Sequence, residues 1–279
     1  MGIKMEHKIK IVAVDMDGTL LNSKKVVSDY TIQVLKQALE KGVYIVPATG
    51  RTPLGLPDEL NQMSGLRYGI FFNGAIVYDM LKKKPLYTDY MEVDTTIELL
   101  KFAEKYDVMC DIYIDGFGYC EGRWLENLAY YNIDPHMIDL VHRTRKPVDN
   151  LVDFLKNYKG PIEKMNIFFH DSKERLEAME AYKELGNCKV VSSLGNNIEL
   201  NSPTCSKGIS LMRLAEYLNI DKSGVMACGD ATNDLEMIEL AGFGVAMENG
   251  MEEVKEIADY VTDSNDDDGV AKAIEKFVF

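Results

Sequence analysis

Three features predict the fold class of this chain. Apolar, β-branched runs such as Ile9–Val14 and Val43–Ala48 end at acidic or hydroxyl residues, helical apolar periodicity recurs between such runs, and the texture changes between residues 86 and 190. Strands apolar along their whole length are covered on both faces, and their alternation with helices implies a parallel sheet. The expected architecture is α/β: a Rossmann-like parallel-sheet core with an inserted α+β cap domain. Residues 1–85 and 191–279 form the core, and 86–190 the insertion.

Taken in order, the core opens with a strand over 9–14 and a helix from about Ser28 to Lys41, with Ser28 as N-cap and Gly42 as its stop. A strand over 43–48 and a helix over about Pro53–Gln62 follow. Tyr68–Phe72 and Ala75–Tyr78 flank Asn73-Gly74, a hairpin signal. In the insertion, helical stretches near Thr95–Tyr106 and Ser172–Lys183 alternate with strands at Cys110–Ile114 and Met165–Phe169, and no motif aspartate stands at a clear strand end. Beyond Ile198-Glu199-Leu200 the regular alternation resumes: helix 207–218, strand 225–228, helix 233–240, strand 243–247, helix 250–257, strand 259–262 and helix 269–277. The connections Lys82–Pro85 and Val191–Gly195 are the expected hinges. Ser264–Gly269 superficially matches a calcium loop, but its first position is Ser and no helix precedes it, so an acidic cap for the last helix is the better reading.

With 46% hydrophobic and 27% charged residues, the chain has the composition of an ordinary soluble protein. A net charge of −14 opposes a sequence-independent grip on nucleic acid or on anionic membrane surfaces. Five scattered cysteines without CxxC spacing read as free thiols in a reducing compartment. Met1–Lys10 lacks a hydrophobic signal segment and no run approaches spanning length, so a cytoplasmic monomer or small homo-oligomer is expected.

The chemistry concentrates in Asp15-Met16-Asp17-Gly18-Thr19-Leu20. Two carboxylates two apart on extended backbone project the same way and repel one another unless a cation or a shared proton intervenes. Bound Mg²⁺ between carboxylate and phosphate supplies that relief. Further along stand Thr49-Gly50-Arg51 after a buried strand, Ser206-Lys207-Gly208 at a helix start, and Gly229-Asp230-Ala231-Thr232-Asn233-Asp234 after another strand. These pieces, in this order, resemble the four motifs of the haloacid dehalogenase superfamily of phosphotransferases. Asn73-Gly74-Ala75, Glu199 and Ala241–Met247 resemble its Cof-type phosphatases of subclass IIB, and the likeness runs end to end.

The resemblance implies Asp15 as nucleophile, forming an aspartyl-phosphate, and Asp17 as general acid and then base. It implies phosphate contacts from Met16 backbone, Thr49, Gly50, Lys207 and Asn233. Mg²⁺ is then expected on the Asp15 carboxylate, the Asp17 carbonyl and Asp230. Asp234 is expected to orient these groups rather than bind metal, and Arg51 to touch the substrate phosphate or the cap, or to lie on the surface. Three functions fit the motifs: a Mg²⁺-dependent hydrolase of small phosphomonoesters such as sugar phosphates, a phosphomutase on the same core, or a non-catalytic phospholigand sensor. The expected partner is a small phosphorylated metabolite.

Overall fold

The computed structural model describes residues 9–279; of the N-terminal stretch read as lacking a signal segment, residues 1–8 lie outside it. In chain order the strands are β1 (Ile11–Val14), β2 (Tyr44–Pro47), β3 (Tyr68–Phe71), β4 (Ile76–Asp79), β5 (Lys84–Thr88), β6 (Val108–Ile114), β7 (Phe117–Glu121), β8 (Arg145–Val148), β9 (Lys164–Phe169), β10 (Lys189–Val191), β11 (Asn197–Asn201), β12 (Val225–Gly229), β13 (Phe243–Ala246) and β14 (Tyr260–Val261). The chain divides into two compact units. The first takes the chain up to Gly50, Leu56–Thr88 and Ser206–Phe279, and the second Arg51–Gly55 and Asp89–Cys205.

In the first unit, β14-β13-β12-β1-β2 form a five-stranded parallel sheet. Ile11, Val12, Ala13 and Val14 are all fully buried, which is why this run alternates in no face pattern. An isolated parallel bridge, Ala48 to Ile70, joins the edge of β2 to the antiparallel β3-β4-β5 sheet. Helix Asp29–Glu40 starts at Ser28, whose hydroxyl accepts the Thr31 N–H at 3.0 Å. Helix Lys207–Tyr217 starts at Ser206, whose hydroxyl accepts the Ile209 N–H at 3.0 Å. Leu211, Leu214 and Ala215 of that helix pack with Val225, Ala227, Met237 and Ile238 in one apolar cluster.

The second unit is built on a six-stranded sheet, β10-β11-β9-β6-β7-β8, antiparallel except between β7 and β8. Leu99, Ile112, Met165, Ile167 and Tyr182 cluster between one sheet face and its helices. Residues that alternate with these carry buried ion pairs: Arg145 Nε–Asp111 Oδ2 and Lys164 Nζ–Glu199 Oε2, each at 2.8 Å.

Several expectations are corrected. The boundary at 190/191 falls inside the second unit's sheet, because β10 pairs with β11 and β11 with β9, so this unit runs on to Cys205. Neither expected hinge joins the units: Lys84-Pro85 already belong to β5, and Val191 to β10. The helix over Pro53–Gln62 is broken into a 3₁₀ turn, Pro53–Gly55, and a short helix, Asp58–Asn61, because Gly55 and Pro57 interrupt it. Asp268 does not cap its own helix with its side chain; its carboxylate instead accepts from the hydroxyls of Ser28 and Thr31 at the start of helix Asp29–Glu40. All five cysteines are free, as read from their spacing, and the structure buries each of them; no described helix is long and apolar enough to cross a membrane.

A Cβ at Gly208 would stand 2.5 Å from the Glu236 carbonyl oxygen, so helix Lys207–Tyr217 meets helix Leu235–Leu240 backbone to backbone. Gly208→Ala is therefore expected to destabilise the protein by about 1–3 kcal/mol through overpacking. A urea melt superimposable on wild type would show that the two helices are not in that contact.

Candidate active site

Asp15, Thr49 and Asp230 each follow the last residue or two of a parallel strand, so the sheet register alone brings their backbones to one edge of the first unit. The Asp15 N–H extends the ladder to the Cys228 carbonyl at 3.0 Å. Gly18, at φ +90°, turns the chain there, and a Cβ at this position would collide with the Asp230 carboxylate. Thr19 then donates its hydroxyl to Asp230 Oδ1 at 2.6 Å, which orients that carboxylate.

Lys207 is the centre of the arrangement. It lies in the first turn of its helix with no exposed surface, its Nζ 2.5 Å from Asp15 Oδ1 and 2.7 Å from Asp234 Oδ1. An ammonium out of water needs such partners, and removing either one leaves a buried charge, typically at about 3–5 kcal/mol. Asp234 is pinned in turn: its Oδ2 accepts the N–H groups of Asp230 at 3.0 Å and Ala231 at 3.1 Å. Both oxygens of Asp234 are thus engaged by protein donors, as suits an orienting carboxylate.

Burial pushes the Asp15 carboxyl well above its ordinary range; Lys207 opposes this, while Asp234 and Asp230 add to it. For Lys207 burial pulls downward, but Asp15 and Asp234 outweigh it and the ammonium is pushed up. Burial, with Asp234 adding to it, pushes Asp230 up to about 6. One oxygen each from Asp15, Asp230 and Asp234 lie within 4.8 Å of one another. Three carboxylates against one ammonium, all oxygen donors, fit a hard divalent cation such as Mg²⁺.

Of the other residues singled out in the sequence, Asn233 Nδ2 donates to Asn73 Oδ1 at 3.3 Å, and the Asn73 N–H donates to the Thr49 carbonyl at 3.0 Å. Met16 is fully buried, and its carbonyl accepts the Leu21 N–H at 2.8 Å. Gly50 directly follows Thr49 at the edge of the first unit, whereas Arg51 opens the short segment assigned to the second, its Nη1 donating to the Gly55 carbonyl at 2.9 Å. Sequence reasoning missed Thr19 and Lys25. The Lys25 ammonium sits 2.9 Å from Asp17 Oδ1, from a loop residue at φ +62° that no spacing rule marks. Thr19 stood in the motif itself, and a hydroxyl two residues after the second aspartate was a usable signal.

A family model of haloacid dehalogenase-like hydrolases matches residues 12–274. The chain is 32% identical over 274 residues to a 5-amino-6-(5-phospho-D-ribitylamino)uracil phosphatase of Bacillus subtilis, covering 97% of this chain and 96% of that one. It is 34% identical over 282 residues to a putative phosphatase of Streptococcus pyogenes, covering 97% and 98% respectively. A solved haloacid dehalogenase-like hydrolase from B. subtilis superposes with a TM-score of 0.81 at 29% identity, covering 97% of this chain and all of that one. The chain belongs to the haloacid dehalogenase-like hydrolases and is an enzyme of their phosphatase kind, as the motifs implied.

The raised pKa of Asp230 has a sign for stability. The folded protein holds this proton more tightly than the unfolded chain, so stability is lost as pH rises from about 3.8 through about 6. Asp230→Asn keeps an acceptor for Thr19 but removes the charge. Without divalent cations, at pH above 7, it is expected to be more stable than wild type by about 2 kcal/mol, with the gap closing toward pH 4. A variant that is less stable, or a pH-independent difference in urea melts, would show that the acidic cluster is not under this strain.

Proposed function

We propose that this haloacid dehalogenase-like phosphatase hydrolyses small phosphomonoesters with Mg²⁺, through a phosphorylated Asp15. The observation that carries this reading is the contact of Lys207 Nζ with Asp15 Oδ1 and Asp234 Oδ1 in a water-excluded position, beside Asp230. A buried ammonium here compensates the attacking carboxylate and would neutralise charge on the transferring group.

Asp15, Asp230 and the Asp17 carbonyl would hold Mg²⁺, which when bound offsets repulsion among the carboxylates and the phosphoryl oxygens. In the first step an Asp15 oxygen bonds to phosphorus as the ester P–O bond breaks, and Asp17 gives its proton to the leaving oxygen. In the second, water attacks the acyl phosphate, its proton passes to Asp17, and the P–O bond to Asp15 breaks. The products are the alcohol and inorganic phosphate. Thr49, Lys207, Asn233 and the Met16 and Gly50 backbones are assigned to the phosphoryl oxygens, and Asp234 to holding Lys207.

Substrate choice is assigned to the second unit, since the groups above recognise only phosphate. The ribitylaminouracil phosphate named for the B. subtilis relative is a first candidate within a panel of sugar, polyol and nucleotide-like phosphates. Replacing 89–205 with the equivalent unit of a relative is expected to transfer preference across that panel while the Mg²⁺ requirement stays. An active chimera that keeps the parent's preference would place selection in the first unit.

Asp15→Asn is expected to abolish phosphate release in a folded protein. Asp17→Asn keeps the main-chain carbonyl but has no proton to give, so its loss should be deepest for alkyl esters and smaller for aryl esters, whose phenolate leaves unaided. Chelation should abolish turnover and added Mg²⁺ restore it. Equal losses on both ester types, or an active Asp15→Asn, would sink this assignment.

A further inference from the structure

We propose that the left-handed turn Phe72-Asn73-Gly74 sets the phosphoryl site, and that Asn73 is a positioning residue acting through Asn233 and Thr49. The inference rests on the reading of that site given above. Three consecutive residues here have positive φ, at 53°, 59° and 108°. For non-glycine residues this backbone region is disfavoured, and a bulky aromatic in it is an outlier. An Asn-Gly pair alone suffices for a tight hairpin, so closing β3 onto β4 does not require Phe72 to be there too. Such conformations persist where the surroundings over-determine them.

The surroundings are three segments remote in sequence. The Asn73 N–H donates to the Thr49 carbonyl at 3.0 Å, tying the turn to the end of β2. The Ser210 hydroxyl donates to the Gly74 carbonyl at 2.6 Å, and a Cβ at Gly74 would overlap the Ser206 carbonyl, so the turn lies directly on the helix start that carries Lys207. Asn73 Oδ1 accepts from Asn233 Nδ2 at 3.3 Å. Phe72 and Asn73 are both buried, which locks the turn from below.

One turn therefore touches Thr49, the base of Lys207 and Asn233. The bond to Asn73 fixes the amide plane of Asn233 and leaves its Nδ2 a second hydrogen to donate. Asn233 Oδ1 and Thr232 Oγ1 beside it are buried with no hydrogen-bond partner in the protein. Buried polar atoms without partners are uncommon, and a phosphate with its ordered water would satisfy them. The strain at Phe72 and Asn73 is the cost of holding these groups preset for the anion.

Asn73→Gly tests this, because glycine tolerates φ +59° while the side-chain amide is lost. The measurements are calorimetric binding of inorganic phosphate in Mg²⁺ buffer and kcat/KM on an aryl phosphate. Both are expected to fall about tenfold, the scale of one hydrogen bond's contribution. Asn73→Ala should show the same loss with a lower melting temperature, since its Cβ strains the backbone. Combining Asn73→Gly with Asn233→Ala should be no worse than Asn233→Ala alone, since the two act as one. Wild-type phosphate affinity and turnover in Asn73→Gly, or losses that multiply in the double variant, would overturn the role given to Asn73. A wild-type protein that neither binds phosphate nor turns over the ester would instead overturn the reading of the site itself.

Discussion

A single buried ammonium governs the first unit. Lys207 has no exposed surface, and its charge is tolerated only because Asp15 and Asp234 sit within hydrogen-bonding distance. That requirement links three places in the chain: the end of β1, the start of helix Lys207–Tyr217, and the turn after β12. Misplacing any of them strands a charge in the interior. The same contact that makes the fold demanding keeps the carboxylate chemistry local, in a protein whose net charge of −14 would otherwise repel an anionic substrate.

Close approach is obtained by leaving out side chains. Gly18 yields to the Asp230 carboxylate, Gly229 to the side chain of Asp234, Gly208 to the Glu236 backbone, and Gly74 to the Ser206 carbonyl. A methyl at any of these would displace a backbone or a charged group from the cluster. Burial of the acidic groups, with neighbouring carboxylates adding to it, raises the Asp15 and Asp230 carboxyls. A divalent cation held among these oxygens would offset the cost of their charge.

Much of this was legible in the sequence, and the reason is local. Strands buried on both faces announce themselves as unbroken apolar runs, and the residue after such a run is placed by the sheet. That is why Asp15, Thr49 and Asp230 could be located; Ser28 read correctly as a cap and Lys207 as lying at a helix start. What failed depended on pairing across long separations. The stretch from Val191 onward looks like the return to the core, yet β10 and β11 complete the second unit's sheet because β11 pairs with β9 and β10 with β11. The acidic loop at Ser264–Asp268 looked like a cap for the helix that follows, but Asp268 is turned toward Ser28 and Thr31, more than two hundred residues away. Lys25 reaches Asp17 from an irregular loop, where periodicity carries no information.

The two units differ in how they use buried charge. In the first, Asp234 has both oxygens engaged, yet burial, with neighbouring carboxylates adding to it, raises the Asp15 and Asp230 carboxyls. In the second, Asp111 and Glu199 each face a guanidinium or ammonium held in the sheet, although burial still raises the Asp111 carboxyl and leaves its Oδ1 without a hydrogen bond. A matched pair adds little net stability over apolar residues of similar size but resists rearrangement, since separating it exposes an uncompensated charge. A cluster with more carboxylates than cations does the reverse: it gains from any further cation that arrives.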